Sequence, residues 1–290
     1  MFGPAAAEPF LAMAGTLYLV ATPIGNLEDI TLRALRLLGE VDLIAAEDTR
    51  RTSILLRHHG ISTRTTSLHA HNERRKTLEL LAKLLKGDSV ALVSDAGTPL
   101  VSDPGLELVQ AAQDAGVAVV PVPGASAPIA ALIASGAPTA SFRFVGFPPR
   151  KLSARRSWCR SLIAAGDTTV FFEAPHRLDT TLRLLRDVIP ERRIALCREL
   201  TKIHEELVVR PICVVLEGLA RPRGEYTCVV WPADQPVEPP QSRPTAVELA
   251  AEMLVLADAH GARRLALKEL AQKYGMSRRE LYGIVESTKQ

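Results

Sequence analysis

Short apolar runs alternate with segments of helically spaced apolar residues through the first 122 positions, and this alternation constrains the fold more than any other feature. The predicted strands are Thr16 to Ala21, Leu43 to Ala46, Ser89 to Val93 and Val117 to Val122. The predicted helices are Leu27 to Leu38, Ser53 to His59, Thr77 to Leu85 and Leu106 to Ala115. Strands that alternate with helices predict an α/β fold with a parallel, doubly wound sheet.

The pattern changes after residue 126. An alanine-rich helix is predicted from Ala127 to Ser135, and Phe142 and Phe144 alternate as in a buried strand. Further strands are predicted at Thr168 to Phe172, Arg193 to Cys197, His204 to Val209 and Tyr226 to Trp231, with a helix at Leu178 to Val188. Several strands in close succession predict a mixed sheet in a second α/β domain.

The two ends of the chain differ from its middle. A small, proline-containing segment opens the chain, and a proline-rich stretch precedes three helical segments near 246–260, 265–274 and from 278 onward. Gly275-Met276-Ser277 resembles the turn of a helix-turn-helix. The predicted organisation is a disordered leader at 1–14, α/β domains at 15–126 and 127–233, a linker at 234–244 and a small helical domain at 245–290.

Composition bounds the class of protein. Hydrophobic residues make up 47% of the 290 positions, yet no uninterrupted apolar run is long enough to span a bilayer. The four cysteines are Cys159, Cys197, Cys213 and Cys228. They form no Cys-x-x-Cys pair, which favours reduced core thiols over metal ligands or disulfides. We therefore expect a cytoplasmic protein without a bound metal.

The net charge of +3 conceals an uneven distribution. From Arg50 to Lys76, seven basic residues accompany one acid, Glu73, and from Ser141 to Arg160 six basic residues accompany none. Clustered positive charge on an otherwise acidic chain predicts a polyanionic partner, and a merely solvated basic surface is the alternative.

The loop from Ser94 to Gly105, SDAGTPLVSDPG, follows the apolar run Val90 to Val93. Its two glycines, two prolines and two aspartates allow tight turns and close backbone approach to a ligand. Ligands of parallel sheets bind outside the carboxyl ends of strands, so this loop is predicted to bind one rather than to serve only as a turn. The sequence lacks the glycine-rich patterns of dinucleotide and P-loop sites.

Six motifs together closely resemble one family. They are LVATPIGNLEDITLRAL, AAEDTRRT, SDAGTPLVSDPG, VPGASA, FFEAPHRL and ELTKIHEE. In this combination the chain resembles, from about residue 15 to 231, the bacterial small-subunit ribosomal RNA ribose methyltransferases of the tetrapyrrole methylase superfamily. The resemblance implies a class III fold, S-adenosylmethionine as cofactor in a cleft between two domains, and a homodimer. It also implies that the acceptor is the ribose 2′-hydroxyl of a cytidine in the decoding centre of 16S rRNA.

The resemblance also implies a set of cofactor contacts. They are Pro23, Asp95, Ala96, Gly97, Thr98, Val101, Ser126, Ala127 and Glu173. One departure from the family pattern is Arg210-Pro211, where an Arg-Gly pair is usual. Proline has no backbone donor, so a cofactor contact through that amide is not expected.

A ribose hydroxyl is a weak nucleophile and gains from a base or a nearby cation. The catalytic candidates are Glu47, Asp48 and Lys202, although Asp48 suits a helix N-cap equally well. The candidates for RNA phosphate contacts are Arg50, Arg51, Arg150, Lys151, Arg155 and Arg156. Phe147 and Trp158 are candidates for stacking on a splayed base.

Two alternatives stay open at this stage. One is a methyltransferase acting on a tetrapyrrole or another small molecule, since an acidic tetrapyrrole also attracts cations. The other is an RNA-binding assembly factor with a vestigial cofactor pocket, against which the complete signature loop argues.

Overall fold

The computed structural model describes residues 14–219, 221–233, 246–260, 265–267, 270–271 and 281–284. The chain divides into two compact units, Met1–Pro232 and Ala233–Gln290. Both β-sheets lie in the first unit. The predicted leader, apart from Ala14, the predicted linker and the Gly275-Met276-Ser277 turn lie outside the described residues.

The first sheet is parallel and covered on both faces. Its strands are β1 (Thr16–Val20), β2 (Leu43–Ala46), β3 (Thr65–Ser67), β4 (Val90–Val93) and β5 (Ala118–Val122), in the order β3-β2-β4-β1-β5. Its helices are α1 (Leu32–Glu40), α2 (Thr49–His58), α3 (Glu73–Leu84) and α4 (Leu106–Asp114). Helices α1 and α2 pack on one face and α3 and α4 on the other, which confirms the doubly wound prediction.

The second sheet is mixed, as predicted. Its strands are β6 (Phe142–Phe144), β7 (Thr168–Glu173), β8 (Arg193–Arg198), β9 (Glu206–Pro211) and β10 (Tyr226–Val230), in the order β6-β7-β10-β8-β9. The helices around it are α5 (Ala127–Ser135), α6 (Leu152–Ser161), α7 (Pro175–Arg186) and α8 (Ile212–Glu217). Helix α5 packs on one face, and α6, α7 and α8 pack on the other. Only the β6–β7 pair is parallel among the described strands of this sheet.

The second unit contains α9 (Ala246–His260), which matches the predicted helix. Leu249 and Met253 of this helix pack with Ala266, Leu270 and Leu281. The described part of the chain holds no helix with the length and apolar character needed to cross a membrane. Cys159, Cys197, Cys213 and Cys228 are all free, and only Cys213 is not fully buried.

Several boundaries differ from the sequence prediction for local reasons. The helix predicted from Leu27 is split into a 3-10 turn, Leu27–Asp29, and α1. Two caps divide it, because the Asn26 side chain accepts from Glu28 N and the Thr31 side chain accepts from Ala34 N. Phe142 is 40% exposed, because β6 is an edge strand and not a central one.

Candidate active site

A cavity of about 310 Å³ lies where the loops of the first sheet meet the second sheet, and we call it the central cavity. Its lining residues are Ile24, Ala96, Ala127, Phe147, Phe172, Glu173, Ala174, Pro175, Cys197, Leu200, Gly224, Glu225, Tyr226 and Thr227. Most of these are apolar or small, and a few polar groups converge on the same space. This composition is typical of a pocket for an organic ligand of moderate size.

The structure distributes the predicted cofactor residues around this cavity. Ala96, Ala127 and Glu173 line it directly, while Pro23 and Asp95 line a smaller neighbouring cavity of about 130 Å³. The remaining members of the set are Gly97, Thr98, Val101 and Ser126, which are not among the lining residues. Pro211 ends β9 in register with Arg193 and is not a lining residue either.

The signature loop after β4 is fastened to its neighbours by backbone and hydroxyl groups. Thr22 and Gly97 exchange two backbone hydrogen bonds of 2.9 and 3.0 Å. The Thr98 hydroxyl donates to the Ala125 carbonyl at 3.2 Å, and the Glu73 carboxylate accepts from Gly105 N at 2.8 Å. The loop is therefore preorganised, with Ala96 held at the cavity wall.

Two loops that are 175 residues apart in sequence meet beside the cavity, and we call this contact the clasp, formed by Pro23–Asn26 and Leu200–Lys202. Asn26 N donates to the Thr201 hydroxyl oxygen at 3.0 Å. A methyl group at Gly25 would lie 2.5 Å from Lys202 Cγ and 2.9 Å from the Leu200 carbonyl oxygen. The backbones approach closely because Gly25 has no side chain.

The clasp side of the second sheet is braced by charges around Lys202. Its Nζ lies 3.2 Å from Glu199 Oε1 and 3.0 Å from Glu225 Oε2, and Glu199 Oε1 also accepts from Glu225 N. Burial lowers the pKa of Lys202, but the bonds to Glu225 and Glu199 outweigh it and raise the pKa above its ordinary value. The Lys202 ammonium group is therefore held in two ion pairs that stabilise the loop. Its predicted catalytic role near the acceptor hydroxyl stays a prediction.

Glu173 forms the centre of a buried charged network at the end of β7. Its fully buried carboxylate accepts from the Thr181 hydroxyl at 2.5 Å and from Ala174 N at 2.9 Å. Arg177 Nε lies 3.2 Å from Glu173 Oε1, an ion pair whose alignment is too poor for a hydrogen bond. Arg155 Nη1 donates to the same Thr181 hydroxyl at 3.3 Å. The Glu173 carboxylate is thus committed to these protein groups.

The structure corrects the prediction that Arg155 contacts RNA phosphate. Arg155 is only 5% exposed, and its guanidinium donates to the Pro149 and Arg150 carbonyls as well as to Thr181. It is a positioning residue for the loop before α6. The other five predicted contacts, Arg50, Arg51, Arg150, Lys151 and Arg156, are exposed. Trp158 is half-buried and packs edge-on against Phe171, as a core residue does.

Four carboxylates follow β2 and β4. Asp48 caps α2 through Arg50 N, and its side-chain bonds to Arg50 lower the pKa of Asp48 to about 2. Burial, followed by the proximity of Asp95, raises the pKa of Glu47. Burial, and then repulsion from the Glu47 carboxylate, raise the pKa of Asp103 to about 6. Of the two predicted carboxylate bases, Glu47 has its pKa shifted upward and Asp48 has its pKa shifted downward, so Glu47 is the stronger base.

Asp103 makes the stability of the fold depend on pH. Its folded pKa of about 6 lies above its ordinary value of 3.8, so the folded state keeps a proton that the unfolded state has lost between these values. Stability falls as the pH rises through this window, and the full penalty remains above it. We expect Asp103→Asn to raise the thermal midpoint at pH 7.5 and to leave it unchanged at pH 4. Asp114→Asn, at the exposed end of α4, is the control, and an equal effect of both variants at both pH values would contradict the assignment.

Sequence reasoning missed one wall of the central cavity. Gly224, Glu225 and Thr227 come from the turn before β10 and its first residues, and none was singled out. Gly224 has a φ of +77°, and a methyl group there would lie 2.5 Å from Glu199 Oε1. A glycine immediately before a predicted strand was the available signal.

The chain matches proteins of known family over most of its length. Residues 16–213 match the family of tetrapyrrole (corrin/porphyrin) methylases. A protein of Halalkalibacterium halodurans named ribosomal RNA small subunit methyltransferase I is 44% identical over 276 residues, covering 93% of this chain and 94% of the relative. The protein of that name from Vibrio cholerae is 50% identical over 222 residues, covering 75% of this chain and 77% of the relative.

Solved structures agree with this fold. The uroporphyrin-III-C-methyltransferase of Thermus thermophilus superposes with a TM-score of 0.55 at 24% identity, covering 75% of this chain and 94% of that one. A diphthine synthase superposes with a TM-score of 0.57 at 16% identity, covering 75% of this chain and 90% of that one. Fold and family define an S-adenosylmethionine-dependent methyltransferase of the tetrapyrrole methylase class. Within that class, the chain belongs to the ribosomal RNA small subunit methyltransferase I family.

Proposed function

We propose that this protein transfers a methyl group from S-adenosylmethionine to the ribose 2′-hydroxyl of a cytidine in the decoding centre of 16S rRNA. The observation that carries the proposal is the 44% identity to a ribosomal RNA small subunit methyltransferase over 93% of the chain. The exposed basic residues of α2 and of the segment before α6 support a polyanionic acceptor.

The residues of the central cavity fit the cofactor. The small side chains of Ala96, Ala127 and Ala174 leave space for a flat adenine ring. At Gly224 the absence of a side chain leaves backbone N–H and C=O groups accessible to the ligand. Glu225 is a lining carboxylate suited to ribose hydroxyls or to the amino group. When bound, S-adenosylmethionine supplies an electrophilic methyl group attached to a sulfonium.

The protein residues have two tasks in such a transfer. The first is to hold the acceptor oxygen in line with the methyl group, since positioning supplies much of the rate. The second is to accept the hydroxyl proton, which we assign to Glu47 because its pKa is raised, whereas that of Asp48 is lowered to about 2. Asp48 then orients Arg50, and Lys202 preserves the clasp.

These roles predict different kinetic outcomes for the three predicted catalytic residues. We expect Glu47→Gln to lower kcat about 100-fold or more while leaving S-adenosylhomocysteine affinity within about twofold. Asp48→Asn lowers turnover less than Glu47→Gln does, with little change in cofactor affinity. Lys202→Ala lowers turnover as well. Steady-state methylation of small ribosomal subunits and calorimetric titration measure both quantities, and wild-type turnover of Glu47→Gln would end the assignment.

One experiment tests the proposed function as a whole. Small ribosomal subunits that lack modifications are incubated with the protein and labelled S-adenosylmethionine, and the methylated nucleotide is mapped. We expect one ribose 2′-O-methyl cytidine in 16S rRNA. Methylation of a uroporphyrin-type substrate without any RNA product would contradict the proposal, and so would tight RNA binding without cofactor binding.

Assembly and cellular location are part of the same proposal. Its partner is 16S rRNA within the small subunit, the active form is a homodimer, and the protein acts in the cytoplasm, where small subunits are assembled. Sedimentation of the full chain with and without small subunits tests the first two statements.

A further inference from the structure

An open groove of about 800 Å³ adjoins the central cavity, and Phe147 and Ala174 line both spaces. Its other walls come from the Pro148–Arg150 loop, from Arg155 of α6, and from His176 and Arg177 at the start of α7. Among the described residues that line this groove, none carries a carboxylate. We call it the basic groove.

The loop that forms the groove is held in place by the guanidinium groups of two arginines, Arg155 and Arg177. Arg177 Nη2 donates to the Pro148 carbonyl at 2.5 Å and to the Pro149 carbonyl at 3.2 Å. Arg155 Nε donates to the Pro149 carbonyl at 2.9 Å and its Nη2 to the Arg150 carbonyl at 3.3 Å. Two guanidinium groups therefore fix three successive carbonyls, which gives Phe147 and Arg150 a defined position.

The charged groups at the wall of the groove carry a net positive charge. Arg155 and Arg177 are balanced by one buried carboxylate, Glu173, so the network carries a net positive charge. Helix α7 starts at the groove without a side-chain cap, and its N-terminal dipole adds partial positive charge. The exposed side chains of Arg150 and His176 supply donors on the open side. A single anionic group in the groove would offset this positive charge and accept hydrogen bonds from the exposed donors.

Phe147 stands between the groove and the central cavity. Phe147 is 53% exposed, and its ring packs on that of Phe172 with 5.4 Å between ring centroids. A half-exposed aromatic ring on a fixed backbone is a platform on which a base can stack. Because it lines both spaces, such a base would lie beside the cofactor on one side and the anion site on the other.

We propose that the basic groove binds a backbone phosphate next to the acceptor nucleotide, and that Phe147 stacks on the acceptor base. This inference rests on the proposed function and names the subsite that positions its RNA. The carboxylate of the cofactor is the other source of an anion close to this cavity, so the test separates the two.

The test compares Arg150→Ala and Phe147→Leu with Arg186→Ala. Arg186 ends α7, about 16 Å along the helix from the groove, and its guanidinium pairs with the neighbouring Asp187 on the surface. Binding to unmodified small subunits is measured over a series of KCl concentrations, and S-adenosylhomocysteine binding is measured by calorimetry. We expect Arg150→Ala to reduce the slope of log affinity against log salt by about 0.7 to 1. We expect Phe147→Leu to weaken binding about tenfold at every salt concentration.

Arg150→Ala should bind S-adenosylhomocysteine within about twofold of the wild type, because Arg150 lines the basic groove and not the central cavity. Arg186→Ala should match the wild type throughout. Unchanged RNA affinity and salt slope in both groove variants would overturn the inference. For Arg150→Ala, a loss of cofactor affinity equal to the loss of RNA affinity would also overturn it, since the groove would then hold the cofactor carboxylate. Wild-type methylation of the same subunits shows separately that the proposed function holds.

Discussion

Glu173→Ala is expected to destabilise the protein by about 3 to 5 kcal/mol, the cost of removing one partner from a buried ion pair. The substitution leaves Arg155 and Arg177 in the interior without their counter-charge and removes the acceptor of the Thr181 hydroxyl. Urea denaturation followed by tryptophan fluorescence measures the free energy of unfolding. Both tryptophans, Trp158 and Trp231, pack against the second sheet and report on this region.

Asp179→Ala is the matched control for Glu173→Ala. Asp179 pairs with Arg183 at 2.8 Å on the exposed surface of α7, the helix that carries Arg177 and Thr181, and exposed pairs of this kind contribute about 0.3 to 0.5 kcal/mol. Glu173→Gln keeps an acceptor for Thr181 without the charge and should fall between the two. If Glu173→Ala costs no more than Asp179→Ala, the carboxylate does not hold the network together.

Gly25→Ala is expected to weaken S-adenosylhomocysteine binding about tenfold or more. The added methyl group would overlap Lys202 Cγ and the Leu200 carbonyl oxygen, so the clasp must open. Ile24 is next to Gly25, and Leu200 itself carries one of the overlapping atoms. Both residues line the central cavity and move when the clasp opens. Isothermal titration calorimetry at constant pH measures the affinity.

Gly39→Ala controls for the general effect of replacing a glycine. Gly39 lies in α1 with no atom near the added methyl group, so this change should stabilise the helix slightly and leave cofactor affinity unchanged. Thr201→Val removes the acceptor for Asn26 N without changing size, and a smaller loss of affinity is expected. Wild-type affinity in both Gly25→Ala and Thr201→Val would show that the clasp does not shape the cavity.

The parallel sheet was predictable because its signal is local. Four of the five strands of the first sheet are short apolar runs that alternate with helices with one apolar face, so the periodicity predicts a doubly wound fold. The edge strand β3, Thr65-Thr66-Ser67, is polar and was not predicted. The turn before β9 was not predictable in this way. His204 was expected to begin the strand, but β9 begins at Glu206. Thr201 has a φ of +66°, and its amide donates to the Glu205 carboxylate, so this turn depends on a particular side-chain contact.

Arg155 shows the limit of reasoning from charge. In the sequence it is one of six basic residues in a segment without acids, and nothing distinguishes it from Arg156. Whether an arginine binds solvent, phosphate or a buried carbonyl depends on the face of α6 on which it lies and on what packs against that face. Arg155 faces Thr181 and the Pro149 carbonyl, whereas Arg156 is exposed.

By itself, the sequence determined the alternation of strands and helices along the chain, the loops that carry the ligand chemistry and the family, because all three depend on residue types at fixed spacings. Only the tertiary structure decided how these pieces meet. It placed Gly25 against Leu200, linked Glu173 to Arg177 directly and to Arg155 through Thr181, and joined the basic groove to the central cavity through Phe147. These contacts join segments far apart in the chain, and their existence depends on packing in three dimensions, which no local pattern encodes.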